Sequence, residues 1–143
     1  MIERFERDVL IRHLFHEAII QDNLEIFHLI SLKFPPDQIA IRRYMMLAAR
    51  KLSDEIFTRL FNITSLRRKI AIKLIDQAAR GLARSVKVAV SSRHLELPLE
   101  ETIERNKCKF NRIVNLIGVS GVIGNLEFSD MIDSAMRKAN ARI

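Results

Sequence analysis

Histidine and acidic side chains near the start of the chain are the first residues whose types and spacing suit metal binding. His13 and His16 lie one helical turn apart, and Glu17 follows directly. A zinc site needs three or four ligands in a defined arrangement, and no cysteine pair or His-Glu-x-x-His motif completes this set. We therefore expect no metal site, and we expect His13 to be a hydrogen-bonded residue on the apolar face of a helix.

Cys108 is the next residue with a reactive side chain, and it is the single cysteine of the chain. Lys107 and Lys109 flank it, and neighbouring cations favour the nucleophilic thiolate. No known nucleophile motif surrounds it, and one cysteine cannot form an internal disulfide. We predict a buried, inert thiol. Since no nucleophile, base and orienting group occur together in the sequence, we expect no enzyme and no catalytic residue.

Gly118, Gly121 and Gly124 follow an apolar run and superficially resemble a glycine-rich dinucleotide loop. That loop needs a strand before it and a second strand bearing an acid about 20 residues later. Only nineteen residues follow Gly124, and their pattern is helical. We predict that the glycines end one helix and open the turn to the next, and we expect no cofactor.

The elements that must position any site are helices, because apolar residues recur at spacings of three, four and seven almost throughout the chain. Asn, Asp, Ser and Pro residues supply start and stop signals between these segments. The pattern predicts an all-α domain of about eight short helices that spans residues 1–143. The predicted helix pairs cover residues 5–33, 38–62, 66–91 and 98–140.

Two of these segments carry more specific expectations. In the first helix, the buried face is predicted to carry Phe5, Val9, Leu10 and Leu14, with His13 among them. Residues 82–91 are predicted to form a separate helix, but their valines alternate with other residues, which also fits a β-strand.

An alanine-rich motif recurs with a period of thirty residues, at Ala18, Ala48 and Ala78. The second and third copies share Ala-Ala-Arg-x-Leu, in Leu47–Leu52 and Gln77–Leu82. Small residues near the end of a first helix let a second helix pack close behind it. Each such pair exposes an apolar flank that a neighbouring pair can cover.

The best copy, Glu17–Ile30, resembles the Ala-Ala-x-x-Gly-Asn-Leu-Glu-Val-Val core of ankyrin repeats, and Gly124–Glu127 keeps its Gly-Asn-Leu-Glu. The resemblance implies short antiparallel helix pairs stacked as a small α-solenoid that binds proteins. The family's Thr-Pro-Leu-His opening is absent. The linkers Lys33–Gln38 and Asn62–Leu66 are also too short for its β-hairpin finger. A compact irregular helical bundle is the alternative architecture.

A second resemblance concerns residues 82–95. Leu82-Ala83 followed by Ser91-Ser92-Arg93-His94-Leu95 is similar to the helix-turn-helix segment of AraC-type regulators. It implies a recognition helix that begins near Ser91 and enters a DNA major groove. Two extra residues separate the halves, and Pro98 would cut that helix short.

Charge is distributed unevenly along the chain, whose formal net charge is +7. Residues 1–40 sum to −3, residues 41–95 to +10 and residues 96–143 to zero. The 48% hydrophobic content excludes a disordered chain. No apolar run is long enough to span a bilayer, and the charged start lacks a signal-peptide core. We therefore expect an intracellular protein, in the cytoplasm or nucleus.

The basic segment is the remaining functional signal, because stacked repeats would align its cations into ribbons on one face. We expect a non-enzymatic module that binds an acidic protein surface through these cations. In viruses and intracellular bacteria, chains similar to ankyrin proteins act on host proteins, so a host-interaction role is implied. A nucleic acid is the alternative partner, a homo-oligomer remains open, and membrane binding is not expected. The predicted patch contains Arg42, Arg43, Arg50, Lys51, Arg67, Arg68, Lys69, Arg80, Arg84, Lys87 and Arg93.

Overall fold

The computed structural model describes residues 2–141, and within that range the chain forms α-helices and no strand. The all-α class predicted from the hydrophobic pattern is therefore confirmed. The helices are α1 (Ile2–Ile20), α2 (Leu24–Lys33), α3 (Gln38–Arg50), α4 (Asp54–Asn62), α5 (Arg68–Ser91), α6 (Leu99–Val119) and α7 (Asn125–Ala141).

Two tight turns of the same geometry join α1 to α2 and α3 to α4. Asp22 and Leu52, thirty residues apart, both have a left-handed backbone, with φ of 49° and 55°. In each turn, the amide of the next residue donates to the carbonyl five residues earlier at 2.8 Å. This bond satisfies one of the last carbonyls of the preceding helix. The thirty-residue period of the sequence is thus also a period of the backbone conformation.

The buried residues of α1, α3 and α5 follow the same spacing. Each of these helices buries a large apolar side chain and, one turn later, two small or β-branched residues against its neighbours. Because alanine carries a single methyl group, this face allows a short distance between helix axes. The equivalent buried sets are Phe15, Ala18 and Ile19 in α1, Met45, Ala48 and Ala49 in α3, and Ile75, Ala78 and Ala79 in α5.

The helices contact one another in a regular order. In one row, α1 packs on α3, α3 on α5 and α5 on α7. In the other row, α2 packs on α4 and α4 on α6. The two rows are joined where α1 packs on α2, α3 on α4 and α5 on α6.

The prediction of a helix pair over residues 66–91 is wrong, because α5 is one uninterrupted helix and it pairs with α6. The strand alternative for residues 82–91 is wrong for the same reason. After Leu52 the chain continues with Ser53 and Asp54, which favour helix starts. The equivalent positions after Leu82 are Ala83 and Arg84, which favour the helix interior. The third copy of the motif therefore runs straight on where the second copy turns.

The predicted buried face of α1 is also wrong. Phe5, Val9, Leu10 and Leu14 are exposed, Phe5 with 71% of its surface, and His13 is exposed as well. α1 has apolar residues on more than one side. The side that packs is the one that shares the thirty-residue register with α3.

Polar contacts tie the first two turns together. The buried Ser53 hydroxyl donates to the Ile19 carbonyl at the end of α1. Asp22 Oδ1 accepts a hydrogen bond from the Ile56 amide in the first turn of α4, at 3.2 Å. A carboxylate in this position satisfies an amide that has no partner within its own helix. Each turn thus caps an element of the neighbouring helix pair.

Burial raises the pKa of the Asp22 carboxyl to about 6, and the nearby Asp54 carboxylate adds to the increase. The hydrogen bonds from the Ile56 and Glu55 amides lower this pKa, but their effect is smaller than that of burial. Asp54 is itself buried and accepts a hydrogen bond from Arg112 of α6. Two carboxyl groups therefore lie close together where the turns meet.

Gly81 lies where α5 crosses the end of α3. A Cβ atom at this position would come within 2.9 Å of the Arg50 carbonyl carbon and nearer still to its oxygen. We expect Gly81→Ala to lower the free energy of unfolding by about 1–3 kcal/mol, because backbone atoms cannot yield as a side chain would. The loss should appear in chemical denaturation although alanine is the better helix former.

Gly124→Ala is the matched control for this substitution. A Cβ atom at Gly124 would meet nothing within 4 Å, so the variant should stay within about 0.5 kcal/mol of the parent chain. Equal stability of the two variants would contradict the close approach of α5 to α3.

Asp22→Asn tests the buried carboxyl. A raised pKa means that Asp22 contributes stability below its unfolded pKa near 3.8. This contribution is lost as the pH rises through about 6. Asparagine mimics the protonated form, keeps an acceptor for Ile56 and tolerates the left-handed backbone. Its melting temperature should exceed that of the parent chain at about pH 7.5, and this difference should shrink towards pH 4.

Thermal melts of both proteins across this range measure the difference directly, because the other carboxyl groups titrate in both. A variant that is less stable than the parent chain at neutral pH would show that the amide bonds to the Asp22 carboxylate outweigh its burial.

Candidate functional site

A step between α3 and α5 creates the principal cavity of the described residues. By the thirty-residue register, Arg50 at the end of α3 corresponds to Arg80 in α5. The remaining residues of α5, 81–91, extend past the end of α3. At 1.5 Å per residue this extension is about 16 Å long, or three helical turns.

A cavity of about 610 Å³ occupies this step. It is bounded by the last turn of α3, the extension of α5, one residue of α6 and one of α7. A volume of this size is typical of ligand sites, although here the cavity is an open groove. Its lining residues are Arg50, Lys51, Leu52, Arg80, Gly81, Arg84, Ser85, Lys87, Val88, Ser91, Asn106 and Ala139.

Five cationic side chains line this groove: Arg50, Lys51, Arg80, Arg84 and Lys87. No carboxylate is among its lining residues. Asp76 lies behind the groove, with Oδ2 3.1 Å from Arg80 Nε, although the alignment of these atoms does not make a hydrogen bond. Asp76 thus offsets part of one charge and leaves four without an acidic neighbour in the lining. We name the set of five cations, with its cavity, the basic groove.

Neutral residues on the same lining add hydrogen-bonding and apolar surface. The Ser85 hydroxyl donates to the Leu82 carbonyl at 2.7 Å, and that of Ser91 to the Lys87 carbonyl at 2.6 Å. The side chain of Val88 is 57% exposed between them. The basic groove therefore combines cations with a small apolar surface, a mixture that suits a protein ligand better than a bare phosphate.

The structure divides the eleven basic residues predicted from the sequence. Five of them form the basic groove, and the other six lie elsewhere. Arg93 is exposed in the loop after α5, and Arg67 and Lys69 are exposed at its start. Arg42 is half-buried on α3, and its Nε has no hydrogen-bond partner. A single basic ribbon along one face is therefore not what the cations form.

Arg68 binds the carboxylate of Glu127 through both terminal nitrogens, with Nη1 2.8 Å from Oε2. This contact lowers the pKa of Glu127 and raises that of Arg68, because each charge is stabilised by the other. It joins the first turn of α5 to the first turn of α7. Arg68 is thus held by a contact within the chain.

A second cavity of about 610 Å³ lies between α1, the linker 34–37 and α3. Arg43 of the predicted patch lines it, together with Arg12, Asp8 and Asp37. Phe15 and Tyr44 stack at its base with ring centroids 4.8 Å apart. Because charges of both signs alternate around it, this cavity has no preference for an anion comparable to that of the basic groove.

The other residues singled out in the sequence do not assemble into a site. His13 and His16 are exposed on α1. Among the described residues, no group of three or more His, Cys, Asp and Glu side chains is placed to hold a metal ion. The glycine run behaves as predicted: α6 ends at Val119, Gly121 takes a φ of 74°, and α7 begins at Asn125.

The resemblance to a helix-turn-helix segment is contradicted by α5. Residues 82–91 are helical without interruption, so no turn separates a supporting helix from a recognition helix. The segment that would hold the recognition helix, residues 92–98, is a loop.

Sequence reasoning missed Val88, Ser91 and Asn106 as lining residues of the groove. A signal for two of them exists in the spacing. Gly81 faces α3, and positions 84, 88 and 91 continue the same stripe along α5 at intervals of three and four. The signal becomes readable only once α5 is known to continue past residue 81.

No helix within residues 2–141 is both long and apolar enough to pass through a membrane. A scan against protein-family models and searches of curated proteins and of solved structures find no match for this chain.

The prediction that Cys108 is buried is wrong, because the residue is exposed on α6. We expect its thiol to react with one equivalent of a disulfide reagent in the folded protein, without denaturant. Absorbance of the released thiolate measures the reaction, and the denatured chain supplies the reference rate. Modification only after unfolding would contradict the orientation of α6.

Proposed function

We propose that this protein is a non-enzymatic interaction module that binds an acidic segment of a partner protein in the basic groove. The observation that carries the proposal is the convergence of five cations on one concave surface with no carboxylate in its lining. Like charges gathered in this way raise each other's energy, and an acidic ligand relieves that repulsion. The same field would speed the encounter with such a ligand.

We further propose that the helices form a small solenoid of stacked pairs. The thirty-residue recurrence of turns and buried positions supports this architecture, as do the contacts of α1 with α3, α3 with α5 and α5 with α7. In such a stack each pair covers its neighbour, and the surfaces along the stack remain available to partners. The ankyrin-like motif belongs to this proposal, with interaction as the function that it implies.

An acidic protein segment fits the groove better than a nucleic acid does. Phosphate backbones are bound by cations spread along a track, and the six basic residues outside the groove are scattered over several surfaces. Single strands also require aromatic stacking platforms, and no aromatic residue lines the groove. Nucleic acid is therefore the alternative outcome of the binding experiment.

The test compares two charge reversals of the same size. Arg84→Glu with Lys87→Glu removes two cations from the groove, and Arg67→Glu with Lys69→Glu changes two exposed cations at the start of α5. The probe is a fluorescent poly-glutamate peptide, followed by anisotropy at about 150 mM salt. We expect the groove variant to bind at least tenfold more weakly and the control variant to change by less than about threefold.

Duplex DNA and RNA are titrated in parallel over a salt series. Equal losses of peptide binding in the two variants would show that only net charge matters, and the groove would lose its assigned role. Nucleic-acid binding tighter than about 10⁻⁶ M at physiological salt, lost in the groove variant, would replace the acidic protein segment by nucleic acid as ligand.

A further inference from the structure

The face of α5 that packs against α3 continues past the end of α3. Gly81 marks this face, because it touches the Arg50 carbonyl of α3. Steps of three, four and three residues along the helix lead from Gly81 to Arg84, Val88 and Ser91, and all three line the basic groove. Arg84, Val88 and Ser91 are exposed. The groove therefore lies where α3 would continue if it were as long as α5.

We infer that the basic groove receives an acidic amphipathic α-helix of the partner protein, which lies end to end with α3 along the extension of α5. This inference rests on the proposed function and specifies the conformation of the ligand. The extension offers three helical turns, about 16 Å, as a packing surface. Helices that pack side by side place their axes about 8–10 Å apart, the relation that α3 already has to the first half of α5.

A helix matches the groove better than an extended peptide does. Extended ligands bind by adding a strand to an open sheet edge, and residues 2–141 contain no strand. The residues along the α5 extension are spaced by three and four, which is the spacing that interlocks with a facing helix. Val88, at the centre of this surface, would receive an apolar anchor of the ligand.

Charge complementarity sets the chemistry of the bound helix. Arg50 and Lys51 lie at the end of α3, where the ligand would begin if it ran in the same direction as α3. Acidic residues in the first turn of a helix stabilise that helix through its dipole, and here they would also face these two cations. Arg84 and Lys87 lie farther along and would face acidic residues one or two turns later. The ligand thus carries acidic and apolar residues on one face, at helical spacing.

The experiment uses two synthetic peptides of about 16 residues and identical composition, built from Glu, Leu, Ala and Gln. One places Glu and Leu at i, i+3, i+4 and i+7, and the other scrambles the order so that no helical face forms. We expect the patterned peptide to bind the full chain at least tenfold more tightly than the scrambled one. Its helicity, followed by circular dichroism, should rise on binding.

Val88→Ser tests the apolar contact, and Val90→Ser is its control. Both valines are exposed on α5, at 57% and 63%, and only Val88 lines the groove. We expect Val88→Ser to weaken the patterned peptide about three- to tenfold without affecting the scrambled one. Val90→Ser should leave both unchanged.

The outcomes separate this inference from the function on which it rests. Equal affinity of the two peptides, lost in Arg84→Glu with Lys87→Glu, would overturn the helical ligand and leave an acidic segment as the partner. Binding of both peptides that does not respond to this groove variant would overturn the proposed function as well.

Discussion

The close packing of α1, α3 and α5 at small residues is the constraint on which the rest of the structure depends. Ala48 and Ala78 are completely buried, and Ala18 nearly so, at the same height in three successive helices. Any larger side chain there would push neighbouring helices apart, and the displacement would be passed along the row. Once the helices are held at this distance, the positions of their ends relative to one another are fixed by their lengths. The step that forms the basic groove is such a difference in length.

Polar contacts at the turns set the register that the alanine faces leave open, because packed apolar surfaces can slide. Ser53 and Asp22 bond across the first two turns, and Asp54 is bonded by Arg112 of α6. The last of these links the second turn to a helix that follows the extension of α5. The exposed bidentate contact of Arg68 with Glu127 aligns the starts of α5 and α7. Both ends of the long helix are thus referenced to neighbouring elements.

The repeat register, most helix boundaries and the basic character of the segment 41–95 could be predicted from the sequence, because periodicity and capping residues are local signals. The fusion of two predicted helices into α5 depended on Ala83-Arg84 replacing Ser53-Asp54, a weak difference in propensity at two positions. The packed side of α1 could not be read from its own pattern, since the helix is apolar on several sides and α3 chooses among them. The division of the basic residues followed from tertiary structure alone, because Arg68 and Arg84 differ only in what the fold brings beside them.

The groove exists because the repeat is imperfect. In the first two copies a left-handed residue at Asp22 or Leu52 reverses the chain, so the second helix returns along the first and the helix end is covered by its own turn. In the third copy the helix continues, and three turns of α5 remain without a neighbour in the row of α3. Arginine and lysine occupy that surface where the register elsewhere places alanine, leucine and isoleucine. A surface meant only to remain solvated needs no concave shape, and a packing surface would bury apolar residues. Cations in a concave position beside an exposed valine combine the two requirements of a binding site for an acidic, partly apolar ligand.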